Sequence, residues 1–430
     1  PYYLAHELVR WADIVVGDYN YWFDTSAMLH GLALAHEWRV ALLVDEAHNL
    51  VPRAREMYSA RLERGALDDA RAVAPAVVVP ALRRLARAWN AILDGLPAPA
   101  PAYTALAAPP DGLVVVLQSV TAAISDFQAA QDASGAPTLA PELLQFFFDV
   151  LHFTRLAESF GTHSLFDVSI ADDASERAST LCLRNLVPAP FLKARFAAAC
   201  TATLFSATLT PRHYHADLLG LPEDVAWLDV ESPFEAAQLA VNVQPVSTRF
   251  GDREESLAPI VALIARQFAD APGNYLAFFS SFDYLRQVVG LLRERHPLVP
   301  VWEQGRGMDE GERTRFLERL QVGGRGIGFA VLGGAFAEGI DLPGDRLVGA
   351  FIATLGLPQV NPINERIRER LDELFGAGHE YTYLYPGLQK VVQAAGRVIR
   401  TPTDRGVVHL IDDRYRRPEV RRLLPAWWDV

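Results

Sequence analysis

"VALLVDEAHNLV", Val40 to Val51, sets five apolar residues ahead of Asp45, Glu46 and His48 and then turns apolar again. A short apolar run between stretches of helical texture predicts a strand buried in a parallel sheet. In open parallel sheets ligands bind beyond the C-terminal ends of the strands, and Asp45 and Glu46 stand at that end. Adjacent carboxylates there suit a hard cation and a water molecule. One carboxylate would hold Mg²⁺, directly or through its waters, while the other orients and deprotonates an attacking water. An Asp capping a helix after a strand explains the same letters equally well, so other segments must agree.

Outward from this strand, Trp11 to Val51 predicts a helix, a short strand at "ADIVVGDYNY", a helix and then "VALLV". From Arg53 to about Leu181 the texture becomes Ala, Arg and Leu, with Leu82, Leu85, Trp89, Ile92 and Leu96 at helical spacing. "LPAPAPAYTALAAPP" divides this region, and "PELLQFFFDVLHFTRLAESF" resumes as a helix whose aromatics fit a core better than a platform for stacked bases. Strand texture returns at "AACTATLFSATLTP". Beyond Glu231 the strands "LAVNVQPV", "YLAFFS", "IGFAVL", "LVGAFIA" and "GVVHLI" alternate with helical stretches. The expected fold class is α/β with two parallel, doubly wound sheets. Residues 1–52 and 182–230 would form a first domain, 53–181 a mostly helical insertion, and 231–430 a second domain. No repeat of fixed period occurs.

The chain has 430 residues, 50% hydrophobic and 21% charged, enough for about three domains. No apolar run approaches the ~18 residues of a membrane helix, and no basic-then-apolar signal opens the chain, so a cytoplasmic, membrane-free protein is expected. A net charge of −12 excludes a polycation. Nucleic-acid binding would need local patches such as Lys390 to Arg422, with nine Lys or Arg against four Asp or Glu, which a solvated basic face explains equally well. Cys182 and Cys200 are the two cysteines, without CxxC spacing or a His cluster, so they support neither a disulfide framework nor a zinc site.

Four further segments agree with the acid pair. "LFSATLTP" (Leu204 to Pro211) ends a strand in small hydroxyl residues, Ser206 and Thr208 among them, suited to a switch beside a phosphate site. "FFSSFDYL" ends another strand in Ser280 and Ser281. "GGAFAEGIDLPG" (Gly333 to Gly344) is a glycine-rich loop carrying Glu338, Gly339 and Asp341. "QAAGRVIRTPTDRG" is expected to place Gln393, Arg397 and Arg400 on one helix, where steps of four and three keep them on one face. Paired arginines neutralise charge in phosphoryl transfer.

This set resembles the XPD/DinG family of superfamily-two DNA helicases, the DEAH-bearing iron–sulfur enzymes. The likeness rests on "PYYLAHELVRWADIVVGDYNYWFD", "LLVDEAHNL", "SATLTP", "EGIDLPG", "QAAGRVIR" and "DDRYRRPEVRRLLPAWW". It covers nearly the whole chain except the insertion, which falls where the family carries its Arch domain. It implies two RecA-like motor domains, the first incomplete here, with ATP and Mg²⁺ as cofactors and movement 5′ to 3′ on single-stranded DNA. Asp45 would hold the metal and Glu46 would activate water, while Arg397 and Arg400 act as the motif VI pair with Gln393 beside them. His48, Ser206 and Thr208 would couple hydrolysis to movement, as would Gly339 and Asp341 in motif V. Ser280, Ser281 and Glu338, in the "SSF" and "GGAFAEG" loops, are expected to grip the DNA backbone. DNA-repair partners and a monomeric state complete the expectation.

Two family parts are missing. Neither lysine, Lys193 or Lys390, stands in a GxxxxGK[ST] phosphate loop, and two cysteines cannot make the family's four-cysteine [4Fe–4S] domain. The chain opens on Pro1 and is expected to be a fragment that starts just after the last cluster cysteine, inactive as an ATPase by itself. A different class of function stays open: a module that binds single-stranded DNA or a repair partner without hydrolysis.

Overall fold

Ala41–Val44 forms strand β1 as the apolar run predicts, but Leu43 on it is exposed rather than buried among the described residues. The computed structural model describes residues 2–97, 101–134, 139–171, 178–334, 336 and 342–430. They divide into two units, Pro1–Val225 and Ala226–Val430.

In the first unit the chain leaves β1 for an insertion carrying β2 (Ala60–Glu63), β3 (Tyr103–Leu106), β4 (Ser164–Ile170) and β5 (Ser179–Asn185). It returns as β6 (Thr201–Leu204), which pairs with β1 in parallel, Val44 opposite Leu204. The insertion's helices include Val79–Asp94 and Pro141–Glu158. Leu82, Leu85 and Trp89 are fully buried at the spacing read from the sequence, and Phe146, Phe147 and Phe153 belong to the same kind of core. Leu96 lies past the helix end.

The insertion also holds an antiparallel sheet in the order β2-β5-β4-β3, which the helical texture does not announce. β2 and β3 have four residues each, too few for a period-two signal. β5 crosses the expected boundary after Leu181, and the indole Nε1 of Trp89 donates to Ser179 Oγ at its start, 2.9 Å away.

Two expectations are corrected. "ADIVVGDYNY" is not a strand: Ile14 and Val16 are 82% and 94% exposed, and no strand among the described residues pairs with them, so the backbone has no ladder to join. Asp111–Gln131 is long and apolar enough to cross a membrane by length and composition, although polar residues interrupt the run. Its Leu113, Leu117, Val120 and Ile124, spaced by four, three and four, are buried within the protein.

The second unit is one parallel sheet built from β7 (Leu239–Gln244), β8 (Asn274–Phe279), β9 (Val301–Glu303), β10 (Gly326–Val331), β11 (Gly349–Ala353) and β12 (Gly406–Ile411). Their order is β7-β12-β11-β8-β10-β9, every pair parallel. All five strands read from the sequence are present; three-residue β9 is the addition. Alternation along β8 sends Leu276 and Phe278 into one core and Tyr275, Ala277 and Phe279 into the other. Both faces are thus dry, the reason these strands read as unbroken apolar runs. Every strand in the register points its C-terminal end the same way, gathering the loops after β8, β10 and β11 along one edge.

Candidate functional site

The acid pair sits where β1 ends. Ala47 N–H donates to Phe205 O at 3.1 Å and Phe205 N–H to Val44 O at 3.0 Å, extending the β1–β6 ladder past both strands. This extension brings Ser206 beside Glu46 and His48. Nδ1 of His48 lies 2.6 Å from Ser206 Oγ and 3.2 Å from Glu46 Oε2, and Ser206 Oγ lies 3.3 Å from the same carboxylate oxygen. A hydroxyl has one proton; directed at the acceptor-only carboxylate, it leaves Nδ1–H of His48 as donor to Oγ. Thr208 completes the group, its N–H reaching Ser206 Oγ at 3.2 Å. His48 is 6% exposed, whereas the Glu46 side chain is 61% exposed: a buried histidine and a half-buried serine hold a carboxylate that faces water.

The backbone records the same arrangement. Glu46 adopts φ 46°, ψ 43°, the left-handed region that costs a residue with a Cβ of order 1 kcal/mol or more. The following short helix, Ala47–Asn49, has Glu46 at its N-cap without a side-chain capping bond, so helix capping does not explain the acids. Asp45 instead accepts the Glu46 N–H on Oδ1 at 2.7 Å. From the unpaired "GDYNY" stretch, Tyr19 places its hydroxyl 2.5 Å from Asp45 O and 2.9 Å from Glu46 O. Burial, then the charges of Glu46 and Asp45, pushes its phenol up to about 12. Sequence reasoning missed Tyr19 because it assigned that stretch to a strand.

Behind the switch lies His215, 1% exposed, with neither ring nitrogen hydrogen-bonded. Burial first, and His48 second, pushes it down to about 4. Nothing in the linear sequence marks it.

Asp45 fits Mg²⁺ by its chemistry: the ion takes one or two carboxylates and completes its shell with waters and substrate phosphates. No group of three or more His, Cys, Asp or Glu forms a protein-only metal cage among the described residues, which accords with that mode. The iron–sulfur cluster does not fit this chain: Cys182 is buried, Cys200 is exposed, and four thiolates are needed.

In the second unit, Ser280 follows β8 and accepts from Arg253 Nη2 at 3.0 Å. Ser281 caps the helix Phe282–Arg295, accepting the Tyr284 N–H, so its hydroxyl is committed to structure. Gly333 (φ 79°) and Gly334 follow β10, and a Cβ at Gly333 would lie 3.3 Å from Lys390 Nζ. Gln304, which the sequence did not single out, accepts the Val331 N–H at 2.9 Å beside the same glycines. Glu338, Gly339 and Asp341 lie outside the described residues.

The arginine pair requires a correction. The helix Tyr385–Ala395 carries Gln393 but stops before Arg397 and Arg400, which follow Gly396 in a turn. Spacing alone extended the helix too far, because the segment after Gly396 is bound to another partner. Asp404 accepts the N–H groups of Arg400 and Thr401 on Oδ2, each at 2.8 Å, and the Thr401 hydroxyl on Oδ1. Burial alone would raise the Asp404 pKa, but these bonds hold it below the usual carboxylate range. Arg397 is buried and Arg400 exposed. The helix start is pressed onto the chain after β11, where a Cβ at Gly356 (φ 73°) would lie 2.4 Å from Gly387 O.

The structure therefore gathers Asp45, Glu46, His48, Ser206 and Thr208 in the first unit, while Ser280, Ser281, Gln393, Arg397 and Arg400 belong to the second.

The Helicase C-terminal domain family matches residues 264–430, and DEAD_2 matches residues 1–67. ATP-dependent helicase DinG of Mycobacterium tuberculosis is 28% identical over 274 residues, 60% of this chain and 40% of its own length. The general transcription and DNA repair factor IIH helicase subunit XPD of Arabidopsis thaliana is 30% identical over 196 residues, 43% of this chain and 26% of its own. The chain thus spans well under half the length of the curated relatives it matches. A solved XPD helicase structure superposes with TM-score 0.61 at 17% identity, covering 98% of this chain and 73% of the other, a likeness of fold. With the DEAH acids in the first matched family segment and the arginine turn in the second, the matches support an XPD/DinG-type superfamily-two helicase.

Proposed function

We propose that this chain is part of an ATP-dependent DNA helicase that moves 5′ to 3′ along single-stranded DNA, acting as a cytoplasmic monomer with DNA-repair partners. The observation that carries the reading is the Glu46 carboxylate, exposed at the end of β1 and oriented by buried His48 and half-buried Ser206. A module that only binds has no use for a strained, oriented, water-facing acid. Asp45 would hold Mg²⁺, which supplies charge neutralisation at the phosphates. Glu46 accepts the proton of the attacking water. His48 and Ser206 sense that carboxylate and pass its state to the Thr208 turn. Arg397 and Arg400 neutralise charge on the departing phosphate, with the Arg400 backbone held by Asp404.

The chain as given has no GxxxxGK[ST] loop, and on this reading it needs that loop from another segment to hydrolyse ATP. Two features support completion of the first unit by a polypeptide bearing that loop. Among the described residues its β1–β6 sheet has two strands, and Leu43 on β1 is 74% exposed, whereas stable sheets have at least three strands or a covering helix. The test is a phosphate-release assay with and without single-stranded DNA. The isolated chain should show no DNA-stimulated turnover, and a polypeptide that joins it to a GxxxxGK[ST]-bearing segment should show it. Turnover by the isolated chain contradicts the stated division of labour. No turnover from the joined protein, with DNA binding retained, favours the non-hydrolytic module.

A further inference from the structure

Phe250 is 84% exposed, against 54% for Phe148 and 44% for Phe205. It opens a layered stack. The Arg253 guanidinium lies 5.0 Å from the Phe250 ring centroid and 5.1 Å from that of Tyr284. The lower layers are fixed: Tyr284 is 1% exposed, its hydroxyl is 2.5 Å from Ser256 Oγ, and Ser256 donates to Arg253 O at 2.6 Å. Arg253 Nη2 reaches Ser280 Oγ at 3.0 Å, tying the stack to the loop after β8. A second pair flanks the same loop, with Arg306 5.3 Å from the Phe282 ring and bonded to Asp283.

We propose that Phe250 is a stacking platform for one base of single-stranded DNA, with Arg253 beneath it and the Ser280 loop beside it. This inference rests on the DNA-binding part of the proposed function. Every base has a π-face, so a solvent-facing ring over a held guanidinium accepts any of them without sequence preference. Charge does not lead here: Glu254 and Glu255 are exposed on the helix Arg253–Asp270, and Asp283 is exposed between Arg286 and Arg306. The contribution of Phe250 is therefore stacking, and it leaves the number of neutralised phosphates unchanged.

The experiment measures fluorescence anisotropy of a labelled oligothymidylate against the whole chain over a series of salt concentrations. Phe250→Ala and Phe250→Leu should weaken binding about five- to a hundredfold, the range for loss of one stacked base. Phe250→Trp should bind at least as well as wild type, and all four proteins should share one slope of log affinity against log salt. Equal affinity of wild type and Phe250→Ala overturns the platform while the DNA-binding reading stands. So does full affinity of Phe250→Leu, which marks a plain apolar contact. No binding by wild type overturns the DNA-binding reading and the platform with it. Since the ring is exposed, its truncation removes little from the core, and unchanged thermal melting confirms that the variants compare folded chains.

Discussion

Nδ1 of His48 and Oγ of Ser206 lie 2.6 Å apart although 158 positions separate them in the chain. The whole insertion is looped out between the two strands that carry them. Ser206 Oγ thereby joins the water-facing acid and His48 to the Thr208 N–H. Ser206→Ala removes the link while leaving Glu46 and Asp45 in place. In an ATPase-competent protein containing this chain, DNA-stimulated turnover should fall about ten- to a hundredfold, typical of lost positioning contacts, with nucleotide affinity unchanged. Steady-state kinetics paired with nucleotide titration separates the two, and a loss of affinity alone rules out a positioning role.

Glu46→Gln keeps the shape of the side chain and removes its basicity. In the same protein, turnover should fall on the order of 10²- to 10⁴-fold, the usual weight of a general base, while nucleotide still binds. Single-turnover measurement is the check; near-normal hydrolysis assigns the proton to another group.

Arg400 is exposed, and its backbone is pinned by Asp404. Arg400→Ala should cost on the order of 10³-fold in rate if this guanidinium neutralises the departing phosphate. Asp404→Asn weakens the clamp and should give a smaller loss in the same direction. A loss below about tenfold for Arg400→Ala transfers the role to another residue.

Trp89 is fully buried in the insertion and donates to Ser179 on β5. Trp89→Ala should destabilise the first unit by about 3–5 kcal/mol through the cavity it leaves. Urea unfolding followed by circular dichroism gives the value; a loss under about 1 kcal/mol means that the site collapses around the void.

His215 predicts a pH dependence. Its value falls from the ordinary 6.5 to about 4 in the fold, because burial, and then the neighbouring His48, resists charging the ring. Between those values the unfolded chain binds a proton that the folded chain excludes, so stability rises with pH across the window and is lost as pH falls from about 6.5 towards 4. His409 in the second unit shifts the same way, also to about 4. Burial also lowers His30 and His163 in the first unit, so His215→Leu should flatten only part of that unit's share. Melting temperatures of wild type and variant should diverge in the variant's favour on acidification; a gap independent of pH removes His215 as the source.

Elements whose burial is uniform were legible in the residue order. β8, β10, β11 and β12 are covered on both faces, so their apolar runs can be read without knowledge of neighbours, and the DEAH acids follow from the end of β1. Motif order then indicated the family. Whatever depends on a distant partner was settled by long-range contacts instead. Apolar texture is a poor guide when no strand is adjacent: Ile14, Val15 and Val16 stay unpaired, whereas four-residue β2 becomes a strand because β5 lies beside it. The helix carrying Gln393 ends before Arg397, whose N–H bonds Ala394 O three residues back, and Asp404 holds the N–H groups of Arg400 and Thr401 further on, contacts invisible to spacing. Tyr19, His215 and Phe250 owe their chemistry to what they touch or leave exposed, and only the folded chain brings such groups together.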